Sequence, residues 1–443
     1  MADSEPPHTK SVSRTSRRRV WLFRALLLLI GWAAIEGCSL VILLLISQGG
    51  VSGAHRAQQA MPENGRGMPS YSESFHPYFG WTHNPDIYTG DIDCCGLPLR
   101  ANRFGFFDST DGIHRRSPDR LIVGICGGSV AWHMSCAAEG VLKQRLLEIP
   151  QYRGREVILV RLAQAGYKQP QALFALSYYL FMGAEFDLIL NLDGYNEIAL
   201  PAAENFASMT ALDYPQGWNV RSLDIVDPRD ADFSLRVFEL RGARQRAAES
   251  ARTSLFRFLP SYQLWWFTKN ENLRIAQLEL QEELQKRRRT RKGMFVQNGP
   301  HPTAKNDEEA MQECIRIWKQ SSLHLHILCQ AHGMAYFHAT QPNQYDVDSK
   351  PLSAYEQEKC YSDSVTYRTH VIRGYPQLRQ AGGELRQAGV RQFDLTRIFE
   401  KVEETLYVDP YCHFNTRGSE LLAEAFVSRV KDALSGADRP PGP

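Results

Sequence analysis

A serine preceded by two glycines, at the end of an apolar run, is the first residue in this chain whose setting suits nucleophilic chemistry. Residues 121–126 read LIVGIC and pass directly into Gly127, Gly128 and Ser129, after which a helical stretch begins. A strand that turns tightly into a helix presents its serine at the carboxyl edge of an α/β sheet, beside helix N-terminal amides that stabilise negative charge. A second apolar run, 157–162, leads through Ala163, Gln164 and Ala165 to Gly166, where the missing side chain lets a backbone amide approach closely. A third, FDLILNL over 186–192, is followed by Asp193, Gly194, Tyr195, Asn196 and Glu197, and an asparagine there can donate its amide to an oxyanion. Near the carboxyl end, His413 stands shortly after Asp409 and before the last amphipathic stretch. It could deprotonate a serine hydroxyl if a carboxylate fixes its tautomer. Taken singly, each of these has a plain turn or capping explanation. Their common placement, at strand ends or just before the last helix, is what joins them.

The elements that must position these residues alternate. Strands are expected at 121–126, 157–162, 186–192, 334–340 and 390–395, with helices at 137–147, 170–180, 308–330 and after Asn415. In the third helix Met311, Ile315, Trp318, Leu325 and Cys329 recur at near-helical spacing, and in the last Leu422, Ala425, Phe426 and Val430 form an apolar face. The alternation predicts an α/β domain with a parallel sheet. Residues 201–302 interrupt it as an insertion, first loop-like and then helical over 272–286, with aromatics at Tyr262, Trp265, Trp266 and Phe267; a helical subdomain or lid is expected. Its basic run, 286–292, is either a solvated helix end or a contact for phosphate or anionic polysaccharide.

The order of blocks resembles the SGNH, or GDSL-type, hydrolase superfamily. Gly127-Gly128-Ser129 matches the block ending in the nucleophile, Gly166 the second block, Gly194-Tyr195-Asn196 the Gly-x-Asn of the third, and Asp409 with His413 the last. The segments His76-Pro77-Tyr78-Phe79-Gly80 and Asn102-Arg103-Phe104-Gly105 resemble lead-ins of a membrane-anchored branch. The resemblance spans 121–430 and implies a three-layer α/β/α fold around a parallel, flavodoxin-like five-stranded sheet. It implies Ser129, His413 and Asp409 as catalytic residues, and the Ser129 and Gly166 amides with the Asn196 side chain as the oxyanion hole; no metal or other cofactor is required. Two positions depart from the pattern. Gly128 replaces the family's aspartate, which is not the triad carboxylate. Asp409 and His413 are separated by three residues where the family usually has two. Either Pro410 bulges the chain and restores the geometry, or His413 acts in a dyad with a backbone carbonyl.

The 443 residues include 51 Lys and Arg against 49 Asp and Glu, a balance that offers no general attraction for nucleic acid. Residues 20–47 are apolar over the ~20 residues a helix needs to span a bilayer. The basic flank of Lys10, Arg14, Arg17, Arg18 and Arg19 predicts a cytoplasmic N-terminus (1–19) and an extracytoplasmic main domain. A cleaved signal peptide is the competing reading, although such apolar regions run only ~7–15 residues. Glu36 interrupts the span, either to pair with a partner helix or as a tilted, snorkelling residue. Residues 48–70 suit a linker, 71–200 with 303–434 the hydrolase-like domain, and 435–443 a flexible tail. The nine cysteines show no metal-site spacing, and although His324, His326, His332 and His338 cluster in sequence, His324 and His326 are two apart and point apart on a helix, so no metal site is expected. The expected function is a membrane-anchored serine esterase or deacylase acting on an acylated small molecule or saccharide. An O-acyltransferase for cell-envelope polysaccharide and a catalytically degenerate carbohydrate-binding or assembly protein are the alternatives.

Overall fold

The computed structural model describes residues 14–47, 49–59, 73–85, 92–94, 97–222, 230–289 and 295–435. Helix α1 (Arg14–Ile46) is followed by α2 (Gly50–Gln59). A hairpin of β1 (Glu73–His76) and β2 (Gly80–His83) comes next, then a three-stranded antiparallel sheet of β3 (Ile92–Cys94), β4 (Leu97–Ala101) and β5 (Phe107–Asp108). The chain continues through β6 (Arg120–Gly127), α3 (Ser129–Ala137), α4 (Glu139–Leu147), β7 (Glu156–Arg161), α5 (Gln171–Phe181), β8 (Leu188–Asp193) and α6 (Tyr195–Leu200). The short α7 (Trp218–Arg221) precedes two long helices, α8 (Ala231–Thr253) and α9 (Pro260–Arg289), and then α10 (Phe295–Asn298). Helix α11 (Asp307–Ala331), β9 (Ala335–Thr340), α12 (Thr366–Gln387), β10 (Gln392–Asp394) and α13 (Thr416–Ser435) complete it.

Five strands form one all-parallel sheet in the order β10-β9-β8-β6-β7. Every residue of β8 and all but the first of β6 are buried, as expected where both faces of a parallel sheet are covered. Helix α13 packs on α3 and α4, while α11 packs on α5, α6 and α12. The chain leaves β6 toward β7 on one side and later returns to β8 on the other, so the strand order reverses at β6. The carboxyl ends of strands at such a reversal open into a crevice. Ser129 stands there. All five expected strands are present, with ends shifted by a residue or two.

The lead-in segments anchor this frame. Asn102 Oδ1 accepts the amides of Phe104 (3.0 Å) and Phe106 (3.1 Å), and Asn102 Nδ2 donates to Tyr179 Oη on α5 (3.2 Å). Phe79, Trp81, Phe104 and Phe106 join the main core.

The chain divides into two compact units, residues 1–70 with 230–284, and 71–229 with 285–443. This corrects the expected boundaries. Residues 50–59 are helical rather than linker, and 60–70 lie outside the described residues. The 201–302 insertion is not one subdomain. Its helical centre groups with the N-terminal segment because Trp266 is fully buried among Ala54, Ala248 and Ala251 and Gln58 Nε2 donates to Gln263 Oε1 (2.7 Å). Its two ends stay with the sheet. The expected helix over 137–147 is α4, which begins at Glu139 just after α3 ends at Ala137, and the first half of the insertion, among the described residues, is largely helical rather than loop-like. Part of the basic run and the expected tail beyond Ser435 lie outside the described residues. Helix α1 is long and apolar enough over Arg18–Ile46 to cross a membrane, with a mean hydropathy of 2.3. Seven cysteines are free thiols; Cys94 and Cys95 lie outside the described side chains.

Candidate active site

Gly127 ends β6 with φ +136°, and a Cβ there would lie 2.0 Å from the Leu192 carbonyl oxygen, so only glycine lets the strand turn this closely against β8. Gly128 is the N-cap of α3 and Ser129 its first residue. The Ser129 amide therefore belongs to the first turn, where no carbonyl of the helix can accept it.

His413 Nε2 lies 2.7 Å from Ser129 Oγ, although the two residues are 284 apart in sequence. Asp409 Oδ2 hydrogen-bonds the other ring nitrogen, Nδ1. The residues expected to act together are brought into one chain of hydrogen bonds. Burial opposes ionisation of Asp409, but the His413 partner and the Tyr411 and His413 amides outweigh it and hold the carboxyl below the ordinary aspartate range. An ionised Asp409 keeps the proton on Nδ1 and leaves Nε2 to accept from the serine hydroxyl.

The three-residue spacing is accommodated by a tied loop. Asp409 Oδ1 accepts the amides of Tyr411 (2.9 Å), Cys412 (3.2 Å) and His413 (3.4 Å), so the carboxylate folds the turn that carries its own histidine. From the segment after β9, Gln344 Nε2 donates to the Asp409 carbonyl (3.0 Å), Tyr345 Oη to that of Pro410 (2.8 Å) and Asn343 Nδ2 to that of Tyr411 (2.9 Å). At the loop's base Tyr407 pairs with Phe414, and Glu356 Oε1 accepts the Leu406 and Tyr407 amides (2.8 and 2.9 Å). Of the two geometries open from sequence, the structure has the carboxylate, not a carbonyl, on Nδ1.

Gly166 adopts φ +80°, and a Cβ at this position would fall 2.1 Å from Gln216 Oε1. Asn196 Nδ2 donates to the Tyr167 carbonyl (2.7 Å), which orients the amide and leaves it a second N–H. The same nitrogen would be 2.2 Å from a Cβ on Gly128, so glycine at this position makes room for Asn196 beside the serine. Gln216 was not legible from sequence. Its Nε2 donates to Glu204 Oε1 (3.3 Å), which also accepts the Tyr367 hydroxyl (2.7 Å).

Below the site, Asp193 is fully enclosed and accepts from Trp318 Nε1 (2.7 Å), Asn191 Nδ2 (2.8 Å) and Gln169 Nε2 (3.0 Å), with His338 Nε2 at 2.7 Å. Glu197 links two blocks, taking the Gly194 amide on Oε2 (2.7 Å) and the Gln169 amide on Oε1 (3.1 Å). Burial, reinforced by Asp193, pushes its carboxyl up to about 8. Because Ser322 Oγ meets His338 Nδ1 at 2.8 Å, Ser322, His338 and Asp193 make a second Ser-His-Asp chain. All three are almost completely buried, so no substrate reaches them and their role is to brace the sheet edge. His338 is thereby a core residue, far in role from the metal-binding reading its neighbours in sequence invited.

Two further side chains border Ser129 and His413. His133, one helical turn beyond the serine, has its ring centroid 5.5 Å from that of His413, and burial, then the proximity of His413, lowers its pKa to about 4. Its i+4 spacing from Ser129 was a usable signal. Burial pushes the Cys412 thiol up, keeping it neutral. A cavity of about 640 Å³ is lined by aromatics including Phe75, Tyr78, Phe79, Phe174 and Trp218, with Asp213 as its carboxylate. None of the five candidate site residues lines it, and its wall is linked to Gly166 through chain neighbours. Gly80 and Pro215 are in its wall, Trp81 reaches within 3.8 Å of a Cβ on Gly166, and Gln216 overlies that glycine.

No protein-family model matches this chain. No curated protein matches it either. The site therefore stands on its geometry.

Proposed function

We propose that this protein is a membrane-anchored serine ester hydrolase of the SGNH type, acting outside the cytoplasm on an acylated saccharide. The observation that carries the reading is the chain Ser129 Oγ to His413 Nε2, with Asp409 on Nδ1. The strand order, taken along the chain as 2-1-3-4-5, and the two groups of helices support a three-layer, flavodoxin-like arrangement with the serine at the switch point. The basic flank before α1 supports a cytoplasmic N-terminus.

In this mechanism Ser129 Oγ attacks the ester carbonyl while His413 Nε2 takes its proton, and Asp409 steadies the imidazolium that forms. The Ser129 and Gly166 amides and the remaining Asn196 N–H hold the oxyanion. His413 then protonates the leaving alcohol, and water, deprotonated by the same nitrogen, releases the acyl group. The aromatic cavity supports a saccharide on the substrate's far side, since the carbon-bound faces of sugar rings pack on aromatic side chains and Asp213 can accept a hydroxyl. That cavity also favours a second reading, transfer of the acyl group to a sugar hydroxyl. The intact hydrogen-bonded chain argues against a degenerate binding protein.

Ser129→Ala is expected to abolish both aryl-acetate turnover and fluorophosphonate labelling of the full chain; undiminished turnover refutes the assignment. Product analysis with an acyl donor and a glycan separates the two enzymatic readings, because only the transferase leaves acylated glycan.

A further inference from the structure

Among the described side chains of α1, one stripe is covered. Ser39, Leu43 and Ser47 are buried and Glu36 is half-buried, at spacings of three, four and four residues, while the apolar side chains around the rest of the helix are exposed. Small polar residues on a covered stripe and large apolar ones elsewhere suit a span packed on one side by helices and bare to lipid on the others, and over its carboxyl end the packing helix is α2. The neighbour over Glu36 is the start of α9. Ser261 donates its amide to Glu36 Oε2 (2.9 Å) and its hydroxyl to Oε1 (2.6 Å). A carboxylate inside the span thus caps a helix that has no other acceptor for that amide.

The depth of this contact follows from helix rise. Glu36 lies twelve residues after Arg24 and ten before Ile46, about 18 and 15 Å along the axis, which puts it near the middle of a ~30 Å hydrocarbon layer. Ser261 is held at the same level. From there α9 runs through Tyr262, Leu264, Trp265, Trp266 and Phe267 and meets its first charge at Lys269, about 12 Å further on, the distance back to the headgroups.

The turn between α8 and α9 precedes Ser261 directly and reads SLFRFL over 254–259. Leu255 is 95% exposed, Phe256 59% and Phe258 65%, continuous in character with the bare faces of α1. Irregular backbone at membrane depth must satisfy its own polar groups. Phe256 N donates to Ser254 Oγ (3.1 Å), Arg257 N to the Ser254 carbonyl (3.2 Å) and Leu259 N to that of Phe256 (2.9 Å). The Arg257 carbonyl accepts from Gln263 Nε2 (2.5 Å) and His55 Nε2 (2.9 Å). The one charge in the turn folds back, the Arg257 guanidinium lying 4.7 Å over the Phe258 ring and donating to the Arg252 carbonyl (3.3 Å).

We propose that the tip of the α8–α9 hairpin dips into the membrane, with Leu255, Phe256 and Phe258 among the acyl chains beside α1 and Glu36 locking the tip at that depth, while the charges of α8 at Arg246, Glu249 and Arg252 mark where that limb leaves the acyl layer. The inference rests on α1 crossing the membrane. Lipid is the occupant because the side chains at the tip are apolar and exposed and Glu36 sets them at the depth of the acyl chains.

The full chain, reconstituted into phosphatidylcholine and phosphatidylglycerol vesicles with p-benzoylphenylalanine incorporated singly at positions 256, 258, 28 or 403, tests this by photolysis and mass spectrometry. Lipid adducts are expected at Phe256 and Phe258 as at Leu28 of α1, and none at the exposed Glu403. Adducts at Leu28 but not at 256 and 258 overturn the hairpin and leave the span standing. Failure at Leu28 as well overturns the span itself. Glu36→Ala is expected to lose the adducts at 256 and 258 while Leu28 keeps its own; unchanged adducts refute the locking role of Glu36.

Discussion

Replacing Asp409 by asparagine tests the least conventional part of the site. The substitution keeps the shape of the side chain, and an Asn oxygen in the place of Oδ1 can still accept the Tyr411, Cys412 and His413 amides that fold the loop. The NH₂ group then faces His413 Nδ1 as a donor. This forces the ring proton onto Nε2, where Ser129 Oγ at 2.7 Å needs an acceptor. The variant is thus folded but in the wrong tautomer, and it has no charge beside the imidazolium of the transition state. At an effective dielectric of about 20, suited to a pair whose side chains are 25% and 28% exposed, opposite charges about 4 Å apart attract by about 4 kcal/mol. At 1.36 kcal/mol per decade this alone is about a thousandfold, and the tautomer change carries the expected loss in kcat toward ~10⁴. The assay is kcat and KM for an aryl acetate with the purified full chain, alongside circular dichroism. Asp409→Asn that stays folded and keeps activity within an order of magnitude of the unsubstituted protein refutes the triad reasoning. Because the folded Asp409 pKa is depressed, its own contribution to stability is present above the ordinary aspartate range and is lost as pH falls through the lower folded value.

Asn196→Ala is expected to lower kcat by ~10²–10³ with little change in KM, since the lost N–H acts on the oxyanion rather than the ground state; steady-state kinetics decide it. His133 is neutral in the fold down to about pH 4 but protonates near pH 6.5 when unfolded, so stability falls as pH drops from 6.5 to 4. His133→Phe is expected to remove about 2–3 kcal/mol of that fall, measured by urea denaturation at pH 7.5 and pH 4.5; an unchanged pH dependence refutes it. Ser322→Ala is expected to leave fluorophosphonate labelling intact while destabilising the fold by about 1–3 kcal/mol, because His338 Nδ1 loses its partner in a dry core. Loss of labelling in a variant that melts normally counts against the bracing role.

Helix α12 shows why part of the fold escaped the sequence pattern. It contains Gly374, Pro376 and Gly382, residue types that weaken a helix on their own, yet a Cβ on Gly374 would meet Ile198 Cδ1 at 2.6 Å and one on Gly382 would meet Gln392 Oε1 at 2.6 Å. Those glycines serve close packing on α6 and β10, which no local window displays. The grouping of α8 and α9 with the N-terminal helices was hidden for the same reason. It depends on Trp266 meeting Ala54, far away in the chain.

Sequence by itself determined the parallel strands, the apolar N-terminal helix and the placement of Ser129, Gly166, Asn196 and His413 at element ends, because apolar runs, glycine turns and amphipathic stripes act over a few residues. Only the tertiary structure decided how those ends meet. The parallel pairing of β6, β8 and β9 carries Asn343, Gln344 and Tyr345 to the loop of Asp409, where they hold the carbonyls of Tyr411, Asp409 and Pro410 and so fix the carboxylate on His413. Likewise, burial alone separates Ser322, His338 and Asp193 from Ser129, His413 and Asp409, since solvent access is a property of the packed whole and not of any segment.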